Sequence, residues 1–289
     1  TNDGTFYFAL TSRQKFQRKG DMKESIHIIR VNESEVAIYD FEEFDFGYIA
    51  TVSMIPLENG DLFIGGFYSE VLKKNKNLPG RFALLFDTES EYFFNMKSEK
   101  LSKYEKPITL DVNVLDIREM ENTVLMIGEE KVLVHRHING GTYYEWHTQD
   151  IVVAPFAKNA GLMPETYITK RLKSPGWQFF VNADVVKVGN TLGIISNGSY
   201  KKHLSGKGEK MVNVVGAHQE IGTIAYLVSE EGKVKEKILE APNAEKTAFI
   251  RVLYSDDSQA VLLYGRSKSA PFTPTYIGGF EFKLRRVTF

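Results

Sequence analysis

Apolar residues in this chain come in short runs divided by Gly, Asn, Asp and Pro, and nowhere keep a three-and-four spacing between helix caps. The pattern predicts strands and turns with very little helix. The runs also recur. "NGDLFIGG" at 59–66 has counterparts in "NTVLMIGE" at 122–129, "NTLGIISN" at 190–197 and "SQAVLLYG" at 258–265. Each is a polar turn followed by an apolar strand that ends near a small residue, anchored at Gly65, Gly128, Ser196 and Gly265 at nearly even spacing. A fainter copy, "TFYFALTS", surrounds Ala9. An extended run precedes each anchor ("YIATVSMIPL", "DVNVLDIREM", "NADVVKVG", "AFIRVLYS") and another follows it ("RFALLFDT", "DIVVAPFA", "TIAYLVSE", "YIGGFEFK"). A fourth, more polar run closes three of the repeats: "EYFFNMKS", "ETYITKRL" and "KVKEKILE".

Four short strands per repeat with turn residues between them describe an antiparallel meander, and radial stacking of meanders is a β-propeller. The inner strands are nearly continuous in apolar residues, as expected of sheets covered on both faces. The Lys- and Glu-rich fourth suits an outer edge. The expected architecture is therefore an all-β propeller of about five four-stranded blades in one domain, with repeats at roughly 1–47, 48–107, 108–176, 177–243 and 244–289. The first repeat lacks an innermost strand and the last lacks a fourth. Either the two ends close one blade between them, or the chain is part of a larger propeller. A pair of β-sandwiches is the alternative, against which the even spacing argues. Gly65-Gly66 is not read as a phosphate loop, because no helix follows it. "HLSGKGEK" at 203–210 is a loop tip for the same reason.

Thirty-six Lys and Arg against thirty-seven Asp and Glu leave a formal charge of -1, with no overall basic excess to suggest nucleic acid as a partner. No Cys is present, which removes disulfides, thiolate metal sites and Cys nucleophiles. No apolar run approaches the roughly 18 residues of a membrane-spanning helix. The first residues, "TNDGTFYFAL", carry neither an initiator Met nor a signal peptide, as in a processed product or a piece of something longer.

"NGDLFIGGFYSE", "GRFALLFDTES", "LDVNVLDIREMENTVLMIGEEKVL" and "TQDIVVAPFAKNAGL" together resemble a widespread group of β-propeller-like proteins exported to the cell envelope of Gram-negative bacteria. The resemblance covers about residues 30 to 289. It implies a propeller in the periplasm or at the outer membrane and no particular activity. Where members carry a polar loop between blades, this chain has "VHRHINGGTYYEWH", a departure that could hold its own specificity. The family's N-terminal portion has no counterpart here, which agrees with a missing part of the propeller.

Three groups of residues offer chemistry. His135 and His137 share a strand face, and a turn at Asn139-Gly140-Gly141 returns "YYEWH" alongside. His147 would have to close several ångströms to complete a three-imidazole metal site, so no metal and no cofactor are assigned, and the segment reads as a solvated hairpin. "DFEEFDF" at 40–46 and the acids Asp87, Glu89 and Glu91 resemble an acidic surface strand and turn. They would serve glycoside hydrolysis only if carboxylates from different blades converged. No G-x-S-x-G elbow accompanies the histidines, and no catalytic residue is assigned.

Charge placement says more. Lys73, Lys74, Lys76, Lys201, Lys202, Lys207, Lys210, Arg266 and Lys268 fall in one set of loops, and acids such as Glu58, Asp61, Glu119 and Glu121 fall at the opposite strand ends. In a propeller these sets lie on opposite faces, giving a field that orients a partner. Tyr68, Tyr143, Tyr144, Trp146, Tyr200 and Phe272 are interspersed with them as expected contact aromatics. The expected function is a non-catalytic binding or scaffolding module of the envelope, taking a protein partner through Tyr68, Lys73, Lys74, Tyr143, Tyr144, Trp146, Tyr200, Lys201, Lys202 and Phe272. Two other functions stand as alternatives: a carbohydrate-active enzyme using channel carboxylates, with a glycan as ligand, and a subunit of an outer-membrane export or surface machine.

Overall fold

The structure, a computed structural model, describes residues 4–15, 22–44, 46–73, 76–104, 111–138, 141–175, 181–199, 211–214, 221–241, 248–255, 259–267 and 280–289. Among these residues the protein is all-β, with no α-helix, and its strands form five successive sheets. The first joins β1 (Phe6–Lys15), β2 (Met22–Val31) and β3 (Val36–Phe44) in that order. The second joins β4 (Tyr48–Pro56), β5 (Leu62–Lys73), β6 (Lys76–Asp87) and β7 (Tyr92–Lys100), again in chain order. The third runs β8 (Asp111–Glu119), β9 (Thr123–Ile138), β10 (Gly141–Ala157) and β11 (Thr166–Pro175). The fourth holds β12 (Ala183–Val188), β13 (Thr191–Ser199), β15 (Ile221–Val228) and β16 (Val234–Glu240); a two-residue strand between β13 and β15, β14 (Val212–Asn213), instead pairs in parallel with β11. The fifth is β17 (Ala248–Ser255), β18 (Gln259–Ser267) and β19 (Phe280–Thr288). The repeated-sheet reading of the sequence thus holds for the described residues.

The chain divides into two compact units, Thr1–Glu129 with Val152–Glu165, and Glu130–Ile151 with Thr166–Phe289. The division cuts β9 and β10 partway along.

In the first unit the β1–β3 and β4–β7 sheets pack face to face. Ile26, Ile28, Phe41 and Phe44 meet Ile64, Phe82, Leu84 and Phe86, all buried. The Phe44 and Phe82 rings cross edge-on at 5.0 Å, and Tyr39 leans on Phe86 at 5.0 Å. The Gly65-Gly66 pair lies in mid-strand, paired with Ser53 and Val52 of β4 and with Ala83 and Phe82 of β6. It is there for close approach, since a β-carbon on Gly66 would stand 2.7 Å from the Phe82 ring and against the Thr51 carbonyl. A β-carbon on Gly128, the next anchor, would strike Phe67.

Arg81, on β6, is completely buried. Its guanidinium donates to Glu99 from Nε at 2.9 Å, lies 3.2 Å from Glu165 and donates to the carbonyls of Pro155 and Met163. It also sits 5.2 Å from the centre of the Phe156 ring. Burial alone would raise the Glu165 carboxyl, but N–H donation from Ser102 and the Arg81 charge hold it below its ordinary range.

In the second unit buried side chains fasten one sheet to the next. Asn197 of β13 donates to the Phe249 carbonyl at 2.7 Å and accepts from the Phe249 N–H at 2.9 Å. Val252 N–H donates to Asp184 of β12, and Tyr264 O–H donates to Thr223 at 2.9 Å. Around them Ile195, Ala225, Phe249 and Leu262 form a buried cluster.

Gly66→Ala is expected to destabilise the first unit by about 1–3 kcal/mol, because backbone and an aromatic ring block the new methyl. Equilibrium denaturant unfolding followed by intrinsic fluorescence checks this; an unchanged midpoint would mean the two strands approach less closely than described.

Candidate functional site

Among the described residues the longest strands are β9 and β10, and their facing ends form a hairpin whose turn, 139–140, lies outside the described residues. Its tip is solvated on both faces: His135, Arg136, His137 and residues 141–144 are exposed, with Tyr143 at 38% and Tyr144 at 49%. The two strands are stapled by side chains. Thr142 Oγ1 lies 2.9 Å from His137 Nδ1, and His135 meets Tyr144 edge-on at 4.8 Å.

One residue below the aromatic pair the environment changes. Glu145 is 4% exposed and surrounded by nitrogen donors from three strands, two of them the cations Arg136 and Lys173. His147 Nε2 donates to its Oε2 at 2.6 Å, Arg136 Nε lies 3.5 Å away, and Lys173 Nζ of β11 is 3.4 Å from Oε1. Burial pushes the carboxyl up, and the His147 hydrogen bond and Lys173 charge overcome that push and hold it below its usual value of 4.5. Trp146 packs on the buried Leu172, Val181 and Val214 cluster, with the Lys131 ammonium 5.6 Å from its ring centre. Lys131 also donates to Asn182. The hairpin is therefore clamped at its base and free at its tip.

The other expected contact residues fall differently. Tyr68 is a correction: it is 3% exposed, packed against Phe44 and Phe46. Its cross-strand partner is Gly80, so its ring lies over bare backbone instead of turning outward. Burial pushes its hydroxyl up to about 12. Trp146 is half-buried at the hairpin base, not at its tip. For Lys73 only the backbone, paired with Lys76, is described. Lys74, Tyr200, Lys201, Lys202 and Phe272 lie outside the described residues, as do Lys207, Lys210 and Lys268.

Several of the acids are committed to turns. Asp87 accepts N–H groups from Ser90 and Glu89 at 2.9 and 2.8 Å, which holds its carboxyl below the usual range. Glu91 pairs with Arg30. Glu58 and Glu119 share Lys158, at 3.5 and 2.8 Å. The acids Glu129, Glu130 and Asp150 are buried, at 1%, 1% and 4% exposed. His147 bonds Glu145 instead of joining His135 and His137, and no group of three His, Cys, Asp or Glu among the described residues is placed to hold a metal ion.

One arrangement was not foreseen. Ser12 on β1 lies 2.7 Å from His27 Nε2 on β2, and His27 Nδ1 lies 2.7 Å from Asp40 on β3. The order is that of a nucleophile, base and orienting carboxylate. A nucleophilic serine also needs donors aimed at the developing oxyanion in a water-excluding cleft, and Ser12 stands on an exposed strand. The row reads as a polar border of the sheet. Its only signal in the sequence is the register of two hairpins.

No helix among the described residues is long and apolar enough to cross a membrane. No family model and no curated protein matches the chain. Among solved structures, it is similar to an α-L-arabinofuranosidase from Lactobacillus brevis at 12% identity and a TM-score of 0.35, covering 99% of this chain and 87% of that one. At that score the likeness carries no argument about fold or activity.

Because the folded Glu145 carboxyl titrates below its unfolded value, its stabilising charge is fully present above about pH 4.5 and is lost as pH falls through the lower folded value. Glu145→Gln should therefore lower the thermal midpoint at pH 7 and match the parent protein once that carboxyl is protonated. A difference that stays constant over the whole pH range would contradict the charge-based clamp.

Proposed function

We propose that the chain is a β-propeller-type binding module of a Gram-negative cell envelope, taking a protein partner on the β9–β10 hairpin tip. The observation that carries this reading is the exposed Tyr143–Tyr144 pair held on a base that Glu145 and Trp146 immobilise. Tyrosines supply contact area with few rotatable bonds, and a fixed base lowers the entropy lost on binding. His135, Arg136 and His137 beside them add hydrogen-bond donors and charge suited to an acidic or polar protein surface. The propeller arrangement is supported by the repeated antiparallel sheets. The envelope location is supported by the sequence resemblance alone.

A photo-cross-linking residue at Thr142 should capture a discrete protein in intact cells, while the same group at Tyr92, exposed far along the sequence, should not. Adding Tyr143→Ala and Tyr144→Ala should reduce capture by about tenfold or more. Equal adducts from both positions, or capture indifferent to the two tyrosines, would refute recognition at the tip.

A further inference from the structure

The β1–β3 sheet is apolar on both faces. One face, with Tyr7, Ala9, Ile26, Ile28, Tyr39 and Phe41, packs into the first unit's core. The opposite face is set by the register: Phe6, Val31 and Val36 form one row, Phe8, Ile29 and Ile38 the next, and Leu10, His27 and Asp40 the third. Phe6 is 62% exposed, Phe8 52%, Leu10 51%, Val36 65% and Ile38 61%. An antiparallel sheet that ends in water alternates apolar inside with polar outside, whereas near-continuous apolar strands mark burial on both sides. A contiguous exposed patch of this kind marks a docking surface.

The β17–β19 sheet supplies a surface that matches it. The rows on its outward side are Arg251, Leu263 and Leu284, then Tyr254, Val261 and Arg286, with Leu263 half-buried because it also packs on the cluster that holds Ala248 and Ile250. Leu253, Tyr254 and Leu284 are 52%, 60% and 63% exposed, and both arginines are exposed. On the first sheet the apolar rows run into Asp40 and Glu42, exposed acids. Each face is three strands wide with an apolar centre, and the bordering charges are opposite in sign. Two such sheets pack face to face about 10 Å apart with their side chains interdigitated.

We propose that the outward face of β1–β3 docks on the outward face of β17–β19 of a second copy of this chain, head to tail. Because the two faces differ, the contact is heterologous and leaves one face of each kind free. It then extends into an open row or closes as a ring. The Ser12–His27–Asp40 row forms part of the polar rim. This self-assembly is independent of the hairpin and of the partner proposed for it.

Sedimentation of the full chain over about 1–100 μM tests the proposal, with Phe8→Lys blocking the first face and Leu284→Lys the second. Self-association beyond a dimer is expected for the parent chain, weakened about tenfold or more in each variant alone. An equimolar mixture of the two variants should form a 1:1 dimer that grows no further, since one intact face of each kind remains. A parent chain that stays monomeric overturns the proposal. So does a Leu284→Lys chain that still dimerises, which would pair the first face with itself, and so do β1-to-β19 cross-links confined to a monomer. Both positions are solvent-exposed, and Ile38→Lys and Tyr254→Lys, at 61% and 60% exposed, replace either variant that fails to give the parent's circular dichroism and cooperative melt.

Discussion

The buried charge of Arg81 ties together parts of the first unit that lie far apart in sequence. A guanidinium with no exposure to water is tolerable only when its donors are matched, and here the matches come from two stretches distant in sequence. Glu99 lies on the neighbouring strand, whereas Pro155, Met163 and Glu165 arrive after the chain has left the first unit at Glu129 and returned at Val152. Leaving the charge unmatched would cost about 3–5 kcal/mol, so the return segment is held to β6. The returning end of the excursion from 130 to 151 is thereby tethered to the first unit's core.

Where sheets are covered on both faces, the sequence shows it as apolar runs broken at even intervals. That is why β5, β9, β13 and β18 were legible from their shared pattern of a polar turn, an apolar strand and a small residue. The glycines themselves carried a second meaning that repeats alone do not reveal: Gly66 and Gly128 make room for Phe82 and Phe67. The β2 and β3 strands were harder. In "VAIYDFEEF" the exposed Glu42 and Glu43 suggested a surface turn, while Phe41 and Phe44 on the same strand are core residues. A register shift between Glu24 and Ile26 further blurs the alternation. The short β14 pairs with β11 across two intervening strands, a non-local contact with no local signature.

The candidate site divides along the same line. A turn of Asn and Gly between strands announces a hairpin, and that placed Tyr143 and Tyr144 at an exposed tip. Glu145 gave no such signal, because its meaning depends on Lys173 from another strand and on burial, neither visible in a run of mixed polar residues. Tyr68 misled for the opposite reason. It follows a glycine pair like a loop aromatic, but the empty position of Gly80 across the strand lets it lie flat in the core. The outward apolar rows of β1–β3 escaped notice because two-faced apolar strands look the same whether or not something covers the second face.

The central claim is that β10 is one strand with two behaviours, locked where Arg81 and the first core hold it and open where Tyr143 and Tyr144 meet solvent. Hydrogen–deuterium exchange of the unmodified chain, read by mass spectrometry on peptides that divide β10, measures this directly. The account predicts slow exchange for 151–157, whose side chains are almost all buried, and rapid exchange for 141–144, where only a two-stranded tip protects the amides. Equal protection along the whole of β10 would contradict it, because the tip would then be covered or as rigid as the core.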